Sequence, residues 1–243
     1  MHDQRVPDDT GADPALGRAR RDPRSAVGPV TAVESLNAAD VANWIRRAAE
    51  LVAADTERLT RLDAAIGDGD HGHNLDRGFR AAVAALPDDA PPGRTLIAAG
   101  RAVVSKTGGA SGPLYGTALR RAGKALGDAA DVDAAAFGTA LRAALEGVQD
   151  LGKAVEGDKT MVDALAPAAA AYEAALGDGA DLAGCARAAA DAAARGAEAT
   201  IPMQARKGRA SYLGPRSVGH MDPGACSTGL VLRALAEIVG GTG

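Results

Sequence analysis

The sequence predicts an all-α fold, an antiparallel up-and-down bundle of eight helices, from three observations. Apolar residues make up 47% of the 243 positions but aromatic residues only 2%, so alanine and aliphatic side chains must build the core. Alanine favours helices and disfavours strands. From Asn37 onward, apolar residues recur at helical spacing, and no segment alternates apolar and polar residues as a half-buried strand does. Glycine and proline breaks then divide the chain into eight segments of helical length.

Each predicted helix lies between turn residues. The first carries an apolar stripe formed by Val41, Trp44, Ile45, Ala48 and Leu51. The same period returns in the third, fifth and eighth helices, where it predicts one face turned toward a shared core. The eight predicted helices are residues 37–65, 73–86, 94–106, 112–127, 133–151, 159–177, 181–200 and 223–240.

Composition separates two regions and excludes several functions. Residues 1–34 contain four prolines and no apolar period, which predicts a disordered N-terminal extension before one helical domain, residues 35–243. The net charge of −4 and the few aromatic residues argue against a nucleic-acid partner. No apolar run is long enough to cross a membrane, and two cysteines, Cys185 and Cys226, are too few for a disulfide framework. A cytoplasmic protein without a membrane partner is expected.

The joints between the predicted helices are of two kinds. The second, fourth and sixth joints are ordinary turns. The first, third, fifth and seventh are rich in glycine, aspartate, histidine and basic residues, and they cover residues 66–74, 107–113, 152–161 and 203–224. Alternate joints of an up-and-down bundle lie at the same end. The unusual joints are therefore expected to share one end, while the plain turns close the other.

Three aspartates in and before the first unusual joint, Asp63, Asp68 and Asp70, predict a magnesium site. Carboxylates this close repel one another unless a cation lies among them. Oxygen ligands on a glycine-containing loop suit Mg²⁺, which completes its shell with water and phosphate oxygens. An EF-hand is excluded, because neither Asp63 nor Asp68 has a glutamate at the twelfth position. The alternative is a loop of helix caps and Asx turns.

The third and seventh joints predict anion binding. The glycine-rich segment 108–112 precedes a helix start, where backbone N–H groups can hold a phosphate. Ser111 is expected to cap that helix, and Asp222 to cap the last helix, which begins with Pro223. The seventh joint carries Arg206, Lys207, Arg209 and Arg216, an excess of positive charge that favours a phosphate or an acidic partner. A flexible connector and a solvated basic loop are the alternatives.

Several blocks together resemble the nucleotide-binding module of the dihydroxyacetone kinase family. They read DAAIGDGDHGHN at 63–74, GGASGPLYG at 108–116, GDKTM at 157–161, GRASYLG at 208–214 and GHMDPG at 219–224. The resemblance covers about residues 35–240 in the family's order. It implies an eight-helix antiparallel barrel with ADP or ATP bound at one end, and phosphotransferase activity.

The resemblance also implies roles for individual residues. Asp63, Asp68 and Asp70 would hold two Mg²⁺ ions that bridge the phosphates. The implied phosphate contacts are His71, Gly72, His73, Asn74, Ala110 and Ser111. The implied neighbours of the nucleoside are Gly152, Thr160, Met161, Asp222, Pro223 and Gly224. Arg209 would reach the nucleotide, and Arg209 and Arg216 are candidates for stabilising the transferring group, with no covalent catalytic residue. His73 stands where the family pattern has a residue other than histidine.

Only about 34 residues precede the module in this sequence, so the expected form is the stand-alone ADP-binding L subunit of the phosphoenolpyruvate-dependent enzymes of the family. That form implies a resident ADP, rephosphorylated by a phosphohistidine-carrying M subunit, and a K subunit that holds dihydroxyacetone. A homodimer or a complex with these subunits is expected, and a transcriptional regulator is a further candidate partner.

Two alternatives stay open: the nucleotide module of an ATP-dependent kinase for another ketose, polyol or fatty acid, and a nucleotide-sensing subunit that binds a transcription factor. Because aromatic residues are scarce, adenine is expected to pack against aliphatic groups such as Leu114 and Met161.

Overall fold

The computed structural model describes residues 1–2 and 34–241. The predicted extension, residues 1–34, lies almost wholly outside the described residues. The described part contains nine α-helices and one 3₁₀ segment, and none of these helices is long and apolar enough to cross a membrane. The elements are α1 (Ala38–Ala54), α2 (Thr56–Ile66), α3 (His71–Ala84), α4 (Pro92–Lys106), α5 (Ser111–Leu126), α6 (Ala134–Gly152), α7 (Val162–Gly177), α8 (Leu182–Ala199), the 3₁₀ segment (Arg209–Ser217) and α9 (Pro223–Val239).

The predicted helices agree with the structure to within three residues, except that the first is two helices. The chain leaves helical geometry at Asp55, where φ is −100° and ψ is 5°. The next residue, Thr56, donates its hydroxyl to the Val52 carbonyl oxygen at 3.0 Å. The helix α2 then packs so closely on α3 that a Cβ at Gly72 would contact the Thr56 carbonyl oxygen. No glycine or proline marks this break, and the prediction of one helix over 37–65 was wrong for that reason.

Eight of the nine α-helices described form a closed ring. From α3 to α9, each helix packs against the next one in the chain; α9 packs against α1, and α1 against α3. The helix α2 is additional to the ring and packs against α3, α9 and the 3₁₀ segment. Leu36 and Val132 exchange backbone hydrogen bonds of 2.8 and 2.9 Å, which tie the start of α1 to the loop between α5 and α6. The all-α prediction is confirmed.

All of the six aromatic residues except the exposed Tyr212 lie in the core of the ring. The ring of Phe137 lies 5.7 Å from that of Trp44, in an edge contact, and 5.7 Å from that of Tyr172. Phe79 makes a similar edge contact with Tyr115 at 6.1 Å. These offset contacts are favourable beyond the apolar area they bury. The large side chains therefore fill the centre and leave the helix contacts to small residues.

Glycines bring α4 and α5 into close contact. A Cβ at Gly100 would lie 2.8 Å from the Gly116 carbonyl oxygen, and a Cβ at Gly123 would contact the Gly93 carbonyl oxygen. These two pairings run in opposite chain directions, so α4 and α5 are antiparallel. Adding a methyl group at either position would force the two helices apart.

Candidate active site

A cavity of about 280 Å³ opens at one end of the ring, and all four unusual joints line it. The plain turns 85–91, 127–133 and 178–181 contribute none of its lining. This arrangement agrees with the prediction from the alternation of joints. The predicted site residues that line the cavity are Asp63, Asp68, Asp70, His71, Ala110, Ser111, Gly152, Thr160, Met161, Arg209, Asp222, Pro223 and Gly224.

The three aspartates converge on one side of this cavity. Each offers a carboxylate oxygen, and these oxygens lie within 4.8 Å of one another. Asp63, in the last turn of α2, is buried, and its Oδ2 accepts hydrogen bonds from the backbone N–H of Asp70 (2.9 Å) and of His71 (3.2 Å). A Cβ at Gly67 would contact the Asp63 carboxylate, so the loop needs glycine there. An all-oxygen, all-carboxylate donor set fits a hard divalent cation such as Mg²⁺.

A basic side chain faces the aspartates from the 3₁₀ segment. The Arg209 guanidinium lies 3.0 Å from Asp68 Oδ2. Both side chains are substantially exposed, so this ion pair contributes little to stability. The position of Arg209 is fixed instead by a small apolar cluster in which Ala205 and Ala210 pack on Ile66 of α2. The cavity therefore has acidic and basic groups on facing loops, as a site for a metal–phosphate complex requires.

Three helices, α3, α5 and α7, begin at the cavity, and the side chains of their N-cap residues make no hydrogen bond to the helix backbone. At α7 the Thr160 hydroxyl accepts the first N–H instead, at 3.1 Å, and at α3 Asp63 accepts the first N–H. Ser111 is the first residue of α5, not its cap, because its hydroxyl lies 2.9 Å from His71 Nδ1 and is engaged there. The prediction of a Ser111 cap was therefore wrong. The first N–H groups of a helix carry partial positive charge and bind anions.

The last helix, α9, begins with the cap that the sequence predicts. Asp222 Oδ2 accepts a hydrogen bond of 2.7 Å from the Ala225 backbone N–H, and Pro223 occupies the first turn. Burial raises the pKa of Asp222 to about 7, although this hydrogen bond and the ammonium of Lys159 oppose the shift.

His71 connects three helices through a buried hydrogen-bond network. Its Nε2 lies 2.9 Å from the Ser227 hydroxyl of α9, which lies 2.7 Å from the Tyr115 hydroxyl of α5. Burial lowers the pKa of His71 below its usual value despite the nearby aspartates, so the ring is neutral at pH 7. Burial likewise raises the pKa of Tyr115. Because Ser111 and Ser227 engage both ring nitrogens, His71 acts here as a connection between helix starts.

Sequence reasoning missed Lys159, which is only 1% exposed. Its ammonium donates to the carbonyl oxygens of Thr200 (2.8 Å), Met203 (3.0 Å) and His220 (2.5 Å). Its backbone has a φ of 63°, unusual for a residue other than glycine. Burial lowers the pKa of Lys159. The only sequence signal was its place inside the GDKTM block; the fold supplies the carbonyl groups.

Sequence reasoning also missed Asp163, because its hydrogen-bond partners become apparent only in the folded loop. It is buried in the first turn of α7, and its carboxylate accepts backbone hydrogen bonds from Gly157 (2.5 Å) and Thr160 (2.7 Å). These bonds fold the loop between α6 and α7 and place Met161 at the cavity. The apolar lining of the cavity includes Leu114, Val148 and Ala154 together with Met161.

Four predicted site residues do not line the cavity. Gly72 packs against Thr60 and Thr56 of α2, and His73 is exposed to solvent. Asn74 is buried, and a Cβ at Gly108 would lie 2.8 Å from its Oδ1. Arg216 is exposed near the end of the 3₁₀ segment. Their roles at a nucleotide stay predictions.

A family model described as the DAK2 domain matches residues 65–237, well over half of the chain. The chain belongs to the DAK2 domain family. The matched region contains every loop that lines the cavity. Of the three aspartates, only Asp63 lies before it.

DAK2 proteins similar to this chain occur both alone and within longer kinases. The ADP-binding subunit DhaL of the PEP-dependent dihydroxyacetone kinase of Escherichia coli K12 is 40% identical over 204 residues, 83% of this chain and 97% of that subunit. The D-erythrulose kinase of Mycolicibacterium smegmatis is 40% identical over 195 residues, 79% of this chain but 34% of that enzyme.

The fold agrees with a solved kinase structure. The dihydroxyacetone kinase of C. freundii in complex with AMP-PNP and Mg²⁺ matches with a TM-score of 0.62 and 30% identity, over 91% of this chain. The chain spans 38% of the length of that kinase. The DAK2 protein described here therefore shares the fold of one part of a longer enzyme.

Proposed function

We propose that this DAK2 protein is the ADP-binding subunit of a phosphoenolpyruvate-dependent dihydroxyacetone kinase, a cytoplasmic phosphotransferase. The observation that carries the proposal is the cavity in which three carboxylates stand beside the uncapped starts of α3 and α5. The match to DhaL over 97% of that subunit supports the stand-alone form of the module.

The residues present fit Mg²⁺ and a nucleoside diphosphate. Asp63, Asp68 and Asp70 would hold the metal, with two ions as the expected number. The starts of α3 and α5 would hold the phosphates, and the apolar lining residues Leu114 and Met161 would hold adenine. When bound, Mg²⁺ and ADP would supply a charge-neutralised phosphate chain for phosphoryl transfer between a phosphohistidine subunit and dihydroxyacetone on a K subunit.

The protein's own side chains hold the loops and the polar groups of this site in place. Asp63 shapes the acidic loop through its two backbone hydrogen bonds, which leaves Asp68 and Asp70 exposed to the cavity. Arg209 places positive charge at the mouth, where it can stabilise negative charge on a transferring group. Neutral His71 holds Ser111 against the start of α3. Positioning and electrostatics account for most of the catalysis of phosphoryl transfer.

The open mouth of the cavity supports the proposed partners. Lys207 and Arg209 are exposed at its rim, so a phosphorylated donor and a substrate-holding subunit can approach in turn. We expect a homodimer or a complex with K and M subunits. A transcriptional regulator would be a further partner of the same surface.

The test begins with the purified full-length protein. Mass analysis of the nucleotide released on denaturation is expected to find ADP, and calorimetry is expected to find ADP affinity that depends on Mg²⁺. Addition of K and M subunits with phosphoenolpyruvate and the general phosphotransferase proteins should then yield dihydroxyacetone phosphate. Absence of co-purified ADP together with absence of Mg²⁺-dependent affinity would contradict the proposal.

A second candidate is the nucleotide module of a kinase for another ketose, favoured by the 40% identity to D-erythrulose kinase. Both candidates use the same nucleotide site, so they differ only in the substrate subunit. A pull-down that identifies that subunit, followed by assays with dihydroxyacetone and with erythrulose, separates them. Retained ADP without transfer to either sugar would instead favour the nucleotide-sensing regulator.

A further inference from the structure

A second groove, of about 200 Å³, runs along the outer surface between α4 and α5. Four of the six residues that line it are basic and none is acidic, although the whole chain has more acidic than basic residues. The lining residues are Ile97, Arg101, Thr117, Arg120, Arg121 and Lys124. We call this surface the basic groove.

The basic groove is separate from the cavity at the end of the ring. Its α5 residues are spaced three and four apart and therefore lie on one face of that helix. Along α5, the groove extends from Thr117, about 9 Å from Ser111, to Lys124, about 20 Å from Ser111. The two sites share no lining residue. A ligand in the groove would therefore leave the mouth of the cavity accessible.

Glycines on the neighbouring helices hold two of the arginine stems. A Cβ at Gly100 of α4 would lie 2.8 Å from Arg120 Cγ, and a Cβ at Gly147 of α6 would lie 2.7 Å from Arg121 Cγ. Each stem thus occupies a notch that a larger residue would fill. Because these side chains are already ordered, less side-chain conformational entropy is lost when a ligand binds.

The charge of the groove is only partly neutralised within the described part of the chain. Arg121 lies 3.3 Å from Asp150 of α6, and both side chains are more than half exposed. Among the described carboxylates, none forms an ion pair with Arg101, Arg120 or Lys124. Three exposed cations therefore remain available along one side of the ring.

We propose that the basic groove docks an acidic segment of a partner protein. The cations are spread along two helices and exposed, which matches a row of carboxylates on an extended or helical segment. A single phosphate would need buried donors that converge on one point, as helix starts provide. Ile97 and the Thr117 methyl group can contact apolar side chains between the carboxylates. The proposal goes beyond nucleotide binding, since it assigns a partner surface on the side of the ring.

Binding of a model acidic segment tests the proposal. The probe is a fluorescein-labelled peptide of alternating glutamate and leucine pairs, with the same peptide carrying glutamine as the uncharged control. Anisotropy should show that the full-length protein prefers the glutamate peptide and that the affinity falls as salt is raised past about 0.15 M. The triple variant Arg101→Glu, Arg120→Glu and Lys124→Glu should weaken binding by about tenfold or more.

The matched control carries the same change of net charge elsewhere: Arg61→Glu, Arg187→Glu and Arg195→Glu, three exposed positions on α2 and α8. This control should bind the peptide within about twofold of wild type. Both triple variants should keep Mg²⁺-dependent ADP binding, which shows that they are folded. Equal losses in the two variants would overturn the proposal, as would tighter binding of tripolyphosphate or of phosphatidylserine vesicles than of the peptide at the groove.

Carbodiimide cross-linking locates the bound peptide independently. It joins a peptide carboxylate to a lysine amine that lies beside it, and Lys124 is the lysine of the basic groove. Mass spectrometry should find Lys124 as the main cross-linked lysine. Cross-links spread evenly over Lys106, Lys153 and Lys207 would overturn the assignment.

Discussion

The two ends of the ring begin their helices in different ways. At the closed end, α1, α6 and α8 start with side-chain caps: Asn37, Asp133 and Asp181 accept backbone hydrogen bonds of 2.8, 2.8 and 2.7 Å. The fourth helix that starts there, α4, has Pro92 in its first turn, a residue without an N–H group. The closed end therefore satisfies its helix starts from within the chain.

At the cavity end, the helix starts are satisfied in different ways. Asp222 caps α9, and the Thr160 hydroxyl accepts the Val162 N–H of α7 at 3.1 Å. The N-cap side chains of α3 and α5 make no such bond, although Asp63 accepts the first N–H of α3 at 3.2 Å. These two starts adjoin the three aspartates. With fewer side-chain caps, this end has backbone N–H groups that the proposed function assigns to an anion, at a cost of about 1 kcal/mol per missing cap.

The ends also differ in where charge is placed. Arg94 and Asp128 form an ion pair of 2.7 Å at the closed end, and both are exposed. The cavity end instead buries Lys159, Asp163 and Asp222 beneath its loops. Variants in each group therefore test the difference between the two ends.

The largest expected effect is on stability, at Lys159. Lys159→Met removes the buried ammonium that donates to the carbonyl oxygens of Thr200, Met203 and His220, and it should lower the free energy of unfolding by about 3 kcal/mol. Urea denaturation measures this. The control is Lys153→Met, since Lys153 also has a positive φ, of 49°, but is exposed. Similar losses in the two variants would show that the buried hydrogen bonds are unimportant.

The next effect is on metal-dependent binding, at Asp68. Asp68→Ala should weaken ADP affinity in the presence of Mg²⁺ by about a hundredfold, or ~2.7 kcal/mol, because one of three carboxylates is lost. Stability should change little, since Asp68 is exposed and its pair with Arg209 is a surface pair. Calorimetry with and without Mg²⁺ measures the change, and Asp128→Ala at the closed end is the control. Undiminished affinity in Asp68→Ala would refute the metal assignment.

The third effect is on pH dependence, at Asp222. Its pKa of about 7 lies above the ordinary value of a carboxyl group, so the folded state binds an extra proton between about pH 4 and 7. Asp222 therefore makes stability fall as pH rises through that range. Asp222→Asn keeps a capping oxygen and should remove this fall, by about 2 kcal/mol across the range. Parallel stability curves for wild type and variant from pH 4 to 7 would contradict the assignment.

Much of the site could be predicted from the sequence because it depends on local patterns. The D-x4-D-x-D spacing and the alternation of plain and glycine-rich joints placed Asp63, Ser111, Met161 and Asp222 around one cavity, where the structure has them. The Asp222 cap followed from its position before Pro223. Each of these features is fixed by neighbours close in the chain.

The remainder depended on contacts between distant residues. The break at Asp55 arises where α2 packs on α3, and the Ser111 hydroxyl is taken by His71, 40 positions earlier. In the sequence, Lys159 has no feature that distinguishes it from a surface lysine. It is buried because carbonyl groups from residues 200–220 accept hydrogen bonds from its ammonium in the folded protein. No local sequence pattern predicts contacts with residues so distant in the chain.

The smallest effect on binding is expected at Ala110, the N-cap residue of α5. Ala110→Asp places a carboxylate where the phosphates are expected and should weaken ADP affinity by about tenfold. The matched change at the closed end is Asp133→Ala, which removes the α6 cap. It should lower stability by about 1 kcal/mol and leave ADP affinity unchanged. If Ala110→Asp binds ADP as wild type does, the start of α5 does not hold phosphate.

Hydrogen exchange tests the difference between the ends most directly. Addition of ADP and Mg²⁺ to the full-length protein should slow amide exchange at the starts of α3 and α5, where the N-cap side chains make no hydrogen bond to the helix backbone. Exchange at the capped starts of α1, α6 and α8 should not change. Protection at the closed end, or none at α3 and α5, would contradict the assignment of the cavity as the nucleotide site.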